Sequence, residues 1–229
     1  MSEAVRVCEL VKGFGPPGRR VEVLRTLNLA IPEGEMVAVV GPSGVGKSTL
    51  LHLLGLLDRP DAGRIELFGT DVATLSDSAR ARWRNRSIGF VFQFHALLPE
   101  LTLEENVAVP LLIAGLSRGE GVRRARELLA EVGLDHRTDH FPDQLSGGEQ
   151  QRGALVRAVI AGPRLLLADE PTGNLDSDNA EVVFSLLQRL HVSRHTTSVI
   201  VTHNEELAGR CHRVVRLAGG HSLEPVPST

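Results

Sequence analysis

Two lysines are all that this chain contains, and one of them, Lys47, stands in the run GPSGVGKS at 41–48. In such a run Gly41, Gly44 and Gly46, with Pro42, Ser43 and Val45 between them, let successive backbone N–H groups turn inward on a β-phosphate. Lys47 reaches the β- and γ-phosphate oxygens, Ser48 offers a hydroxyl to Mg²⁺, and the helix that Thr49 continues adds partial positive charge at its start. A second chemical cluster is Asp169 and Glu170, at the end of the apolar run 165–168. There the first acid suits Mg²⁺ held through water, and the second can orient or deprotonate an attacking water. The simpler alternative is that the two acids only cap the turn that follows. Gln93 follows Phe92 and His203 follows Thr202, so each lies just past another apolar run. Gln93 suits the metal or the water, and His203 suits a hydrogen bond to the γ-phosphate, although a single Gln or His is more often structural.

A third cluster is LSGGEQQR at 145–152. Ser146 and Glu149 have the spacing of a capping box, which would explain them as a well-capped helix start. Capping does not explain Gly147 and Gly148, since glycine weakens a helix by about 1 kcal/mol relative to alanine. Bare N–H groups beside a serine hydroxyl suit a phosphate. The loop at Gly41 already surrounds its own nucleotide, so the expected client is the γ-phosphate held by a second copy of the chain.

These groups need strands whose carboxyl ends share an edge. The runs 36–40, 88–92, 165–168 and 198–201 are continuously apolar, as strands of a parallel sheet covered on both faces are. Residues 4–10 and 21–31, around a Gly/Pro turn at 13–18, and 64–68 read as a small antiparallel sheet. Helices are expected at 49–57, 121–132, 149–160 and 179–190, with Gly133 and Gly162 as stops.

The chain has 229 residues, 42% of them hydrophobic and 23% charged, which fits one compact unit with disorder only after Ala218. A net charge of −3 gives no broad basic field, so nucleic acid is not an expected partner. Cys8 and Cys211 have no metal-type spacing and read as buried, unreactive thiols of a reducing compartment. The apolar stretch 107–116 falls far short of the ~20 residues a membrane span needs. The chain therefore reads as cytoplasmic, with any membrane role supplied by a partner.

Taken in order, these motifs resemble the ATP-binding cassette of ABC transporters over residues 5–217. The resemblance implies an α/β P-loop NTPase fold of the ABC ATPase type. It has a mostly parallel sheet core, an N-terminal antiparallel β-subdomain and an inserted α-helical subdomain. Residues 1–229 form one nucleotide-binding domain, with 1–93 and 162–217 as the core, 94–161 as the helical subdomain and 218–229 as a tail. It also implies that Phe14 stacks on adenine, Gly41 to Thr49 form Walker A, and Gln93 marks the Q-loop. Ser146, Gly147, Gly148 and Glu149 form the signature, Asp169 and Glu170 end Walker B, Asp176 closes the D-loop, and His203 is the switch histidine. Residues 90–107 and 167–176 are similar to the group containing macrolide exporters and the lipoprotein-releasing transporter. Within that group, residues 50–58 and 109–115 are most similar to the lipoprotein-releasing ATPases. Three departures stand out: Phe14 where Tyr is commoner, GALVRAV at 153–159 where VAIARAL is usual, which is expected to loosen that helix, and Asn204 where Asp is common.

The resemblance implies a homodimer with two bound MgATP, working with integral membrane permease subunits at the cytoplasmic face of the inner membrane as a peripheral subunit. Lipoprotein release, macrolide or peptide export, and a non-transport ATPase that activates cell-wall hydrolases all fit that machine. A DNA-repair or chromosome ATPase would carry coiled coils or zinc modules, which this sequence lacks. Residues 94–101, apolar for a loop, suit either a docking surface or core packing. The arginines at 80, 82, 84 and 86 could meet lipid headgroups but suit a solvated helix face better.

Overall fold

A computed structural model describes residues 2–16 and 18–222. In chain order the first elements are β1 (Glu3–Phe14), β2 (Val21–Pro32), β3 (Met36–Val40), α1 (Lys47–Leu54), β4 (Ala62–Leu67), β5 (Thr70–Asp71), α2 (Asp77–Ser87) and β6 (Ile88–Val91). They are followed by α3 (Leu103–Ile113), α4 (Arg118–Glu131), α5 (Gly147–Val159), β7 (Leu165–Asp169), α6 (Ser177–Arg194), β8 (Thr197–Val201), α7 (Glu205–Ala208), β9 (Arg213–Ala218) and β10 (His221–Ser222). They gather into two compact units, Met1–Arg82 with Thr197–Thr229, and Trp83–Thr196.

In the first unit β1 pairs antiparallel with β2 and β4, giving the order β2-β1-β4-β5. Beside this small sheet lies a second run of strands, in which β3 is parallel to both β8 and β9 and β10 closes a hairpin on β9. All five residues of β3 and of β8 are buried. That burial is why neither strand shows an in-out alternation in the sequence. The hairpin corrects the expectation of disorder directly after Ala218: Gly219 and Gly220 both take positive φ and turn the chain back. The rest of the expected tail, residues 223–229, lies outside the described residues, as does Pro17 of the 13–18 turn.

In the second unit β6 and β7 are parallel, paired from Ile88 with Leu165 to Val91 with Ala168. The helices α3, α4 and α5 close on a core that includes Leu103, Val107, Ala125, Leu129, Leu134 and Val156. The helix α3 falls within the helical subdomain expected at 94–161, but its own bounds were not read from the sequence, because its apolar residues include Pro110 and the run has no helical period. Its start was nevertheless written there: Thr102 and Glu105 form a reciprocal capping box, with Thr102 N donating to Glu105 Oε2 at 3.0 Å.

Two expectations change. Arg80 is not on a solvated face; it is 5% exposed, and its guanidinium donates to the carbonyls of Leu56 and Asp58, tying α2 to the end of α1. Arg82 and Arg86 are exposed and Arg84 is half-buried. Cys8 and Cys211 are half-buried rather than buried, though burial still pushes the Cys211 thiol up to about 11, which keeps it protonated and inert.

Gly153 has a packing reason. A Cβ there would lie 2.4 Å from Leu103 Cδ1, so the glycine sets a close approach of α5 to α3 instead of loosening α5. Gly89 in β6 is held harder, since its Cβ would lie 2.3 Å from the carbonyl oxygen of Ala158, a backbone atom that cannot rotate away. Gly89→Ala is therefore expected to lower unfolding free energy by about 1–3 kcal/mol. Urea titration followed by circular dichroism checks this, and an unchanged midpoint would contradict the packing assignment.

Candidate active site

The first unit carries the phosphate-binding loop. Buried β3 delivers the chain to Gly41, whose φ of 154° and closeness to β9 exclude a side chain: a Cβ would sit 2.5 Å from Leu217 O. Gly44 and Gly46 have φ of 77° and 106°, so the loop turns through left-handed conformations that glycine adopts freely. Gly46 is the N-cap of α1, and it supplies no side-chain hydrogen bond there. The longer helices α3, α4, α5 and α6 are each capped by a side chain, from Thr102, Ser117, Ser146 and Asp176. The positive dipole end of α1 is therefore left without a side-chain cap, which suits an anion. No acid stands in its first turn.

Helix α1 begins at Lys47, two residues earlier than expected, so Lys47, Ser48 and Thr49 are already helical. Lys47 Nζ donates to Gly41 O at 2.8 Å and Pro42 O at 3.1 Å, which folds its ammonium back over the loop. Pro42, Ser43, Gly44 and Ser48 are exposed, while Val45, Lys47 and Thr49 are half-buried. Phe14, at the end of β1, is 48% exposed and offers a ring face for stacking. Lys12 Nζ lies 5.3 Å from that ring's centroid and forms an ion pair with Asp58 at 2.8 Å.

In the same unit β8 leads through Thr202 to His203, which is exposed. The neighbouring Asn204 settles how this loop is held. Its Oδ1 accepts from the N–H groups of Glu206 at 3.0 Å and Leu207 at 3.1 Å, capping α7, while its own N–H donates to Thr202 Oγ1. Asparagine does here the capping work that aspartate would do.

The second unit carries the acids. Asp169 is the last residue of β7, half-buried, and Glu170 follows it with φ of 45°, a left-handed conformation that is costly for a side-chain residue. The turn behind it is closed by Gly173 N donating to Glu170 O at 3.0 Å. Gln93 belongs to the same group. A Cβ on Gly173 would touch both Glu170 Cβ, at 3.4 Å, and Gln93 Nε2, at 3.5 Å, and Asn174 Nδ2 donates to Gln93 O at 3.2 Å. The structure thus brings Gln93 and Glu170 together around one turn.

Ser146 caps α5, with its Oγ accepting from Glu149 N at 3.3 Å and its N–H donating to Glu149 Oε2 at 2.8 Å. The two glycines behind it differ. Gly148 is buried, and a Cβ would strike Asn179 Oδ1 at 2.4 Å. Asn179 in turn donates to Asp176 from its backbone at 2.9 Å and from its side chain at 2.7 Å. Gly148 is therefore required by the packing of two helix starts. Gly147 is exposed, and its nearest neighbour would be Leu175 Cδ2 at 3.6 Å, so no packing explains it. An exposed glycine beside an exposed serine leaves bare backbone at the start of α5.

Sequence reasoning missed several residues that hold these groups. Buried Gln151 donates to Pro171 O at 2.7 Å, tying α5 to the turn after Glu170. Arg157 donates to Ala96 O at 2.8 Å and His95 O at 3.1 Å, while Asn106 brackets Leu98, so the loop after Gln93 is fixed from two helices. On that loop Phe94 is 75% exposed, whereas Leu97 packs on the helical core, so part of the segment is core packing. A long polar side chain on an apolar helix face was the available signal for Arg157.

Three comparisons place this arrangement among known proteins. The family model described as ABC transporter matches residues 24–173. The lipoprotein-releasing system ATP-binding protein LolD of Geobacter metallireducens is 56% identical over 220 residues, covering 96% of this chain and 98% of that protein. The protein of the same name from Koribacter versatilis is 52% identical, covering 96% and 99%. A solved dimeric ATP-binding cassette in a post-hydrolysis state, bound to ADP and Pi, superposes with a TM-score of 0.89 at 38% identity, covering 96% of this chain and 97% of that one.

The interlock of helix starts makes a double substitution informative. Gly148→Ala is expected to destabilise the chain by about 1–3 kcal/mol by driving Asn179 off Asp176. In an Asn179→Ala background the same change should cost less than half as much. Equal costs in both backgrounds, measured by denaturant unfolding, would contradict the contact.

Proposed function

This chain belongs to the ABC transporter family, and on that premise we propose that two copies of it form the ATP-hydrolysing motor of a lipoprotein-releasing system. The observation that carries this reading is identity above 50% along almost the full length of proteins named for that system. The chain binds nucleotide and hydrolyses ATP. The integral permease subunits that it drives read the cargo, and it sits against them at the cytoplasmic face of the inner membrane. No helix among the described residues is long and apolar enough to cross a membrane. Residues 1–229 act as one nucleotide-binding domain, with 94–161 as its helical subdomain.

The roles follow from the chemistry of each group. Phe14 stacks on adenine, and Gly41 to Thr49 wrap the phosphates with backbone N–H groups. Lys47 exchanges the carbonyls of Gly41 and Pro42 for phosphate oxygens, which carry more negative charge. Ser48, Gln93 and Asp169 supply the hard oxygen donors that suit Mg²⁺. When bound, Mg²⁺ neutralises charge that develops on the phosphates.

Glu170 orients the attacking water and takes its proton, and Gln93, packed around the same turn, helps hold that water. His203 donates to the γ-phosphate and registers its loss. Phosphoryl transfer asks mainly for positioning and charge stabilisation, so the second copy contributes Ser146, Gly147, Gly148 and Glu149, the start of α5, to the same γ-phosphate. Asp176 holds the neighbouring helix start in register. Hydrolysis removes the bridging phosphate, the pair opens, and that motion drives the permease.

In cells whose only copy carries Glu170→Gln, lipoproteins should accumulate in the inner membrane while wall cleavage continues. Fractionation of membranes reads the outcome, and normal lipoprotein sorting with a defect in wall cleavage would overturn the assignment in favour of a signalling ATPase.

A further inference from the structure

The start of α5 contains a carboxylate where a phosphate is meant to arrive. Glu149 completes the capping box with Ser146, a task that glutamine performs equally well. The acid adds a full negative charge to the first turn, next to exposed Ser146 and Gly147. Burial pushes the Glu149 carboxyl up, but the Ser146 N–H and hydroxyl and the Arg137 guanidinium outweigh this and hold it below the usual range, so it is ionised at neutral pH. Left alone, such a charge repels a phosphate and weakens its binding by about tenfold or more at ordinary surface screening.

The charge is not left alone. Arg137 Nε donates to Glu149 Oε1 at 3.1 Å, on the oxygen that the capping box does not use. Arg137 is itself fixed by its own loop: its Nη1 donates to His140 Nε2 at 3.1 Å, and His140 Nδ1 faces Asp139 Oδ1 at 3.0 Å. That loop is anchored to the start of α3, where Leu103 N donates to His140 O and Glu104 N donates to Thr138 O, each at 2.9 Å. A guanidinium held this firmly is a fixed counter-charge rather than a mobile surface arginine.

We propose that Arg137 is a positioning residue for ATP hydrolysis, cancelling the charge of Glu149 and locking its carboxyl into the capping box so that the start of α5 attracts the γ-phosphate held by the second copy. The proposal rests on the assignment of that helix start to the partner's nucleotide, and its consequences can be separated from it. It makes Arg137 and Glu149 an interdependent pair: the arginine matters because the residue at 149 is an acid.

The test is ATPase kinetics of the full chain at low and at physiological salt. Arg137→Gln should raise KM for ATP about tenfold, with a smaller effect at higher salt, and Arg137→Lys should recover most of the loss. In a Glu149→Gln background, Arg137→Gln should change KM less than about twofold, because no charge remains to offset. An equal KM penalty in both backgrounds would overturn the proposal and reduce Arg137 to a loop anchor, as would no penalty with Glu149 present. Gly147→Glu separates the two levels. If it leaves turnover intact, the partner-phosphate assignment itself is lost; if it abolishes turnover while Arg137→Gln is neutral, only the charge offset is lost.

Discussion

The start of α1 is a helix end that its own side chains decline to cap. Gly46 contributes no oxygen, the first turn contains no acid, and the preceding loop follows backbone angles that favour glycine. Two neighbouring strands deliver this end. β3 is buried along its whole length, and β9 passes so close to Gly41 that a single methyl would collide with it. N–H groups at the positive end of a helix favour a ligand rich in negative oxygen, which fits the nucleotide phosphate that the ABC transporter family binds.

The start of α5 answers a different demand. It is capped, and its two glycines divide the labour: Gly148 lets Asn179 and Asp176 come close, and Gly147 leaves the surface bare. A helix start that faces only its own chain has no use for the second glycine. In the proposed pairing its use lies in a second copy of the chain, and the solved cassette with the same fold is described as dimeric. The acid within this turn makes the arrangement less tolerant, since it asks for a counter-charge, and the cation it pairs with, Arg137, comes from the preceding loop.

Much of this was legible in the residues themselves. β3 was read to the residue, because a fully buried strand is a short apolar run with a glycine loop behind it, and the runs ending at Gln93, Glu170 and His203 were found in the same way. What stayed hidden depends on contacts distant in sequence. Nothing near Arg80 announces that it turns inward to carbonyls of residues more than twenty positions earlier. Gly153 looked like a weak point in α5 because its partner, Leu103, lies on a helix whose own pattern is masked by Pro110. Asn204, where aspartate is common, left open how the loop is held, although either side chain offers the oxygen that α7 needs. Local chemistry was readable, whereas reasons that involve a second element were not.

If ATP joins two copies before it is cleaved, a chain that binds nucleotide but cannot cleave it must accumulate as the joined pair. Light scattering on the Glu170→Gln chain tests this most directly, comparing saturating MgATP with MgADP at one protein concentration. The mass should double with MgATP and remain that of a single copy with MgADP. A variant that stays a single copy with saturating MgATP, while the wild-type chain hydrolyses at full rate at dilutions where it too is single, would contradict the joining of two copies by nucleotide.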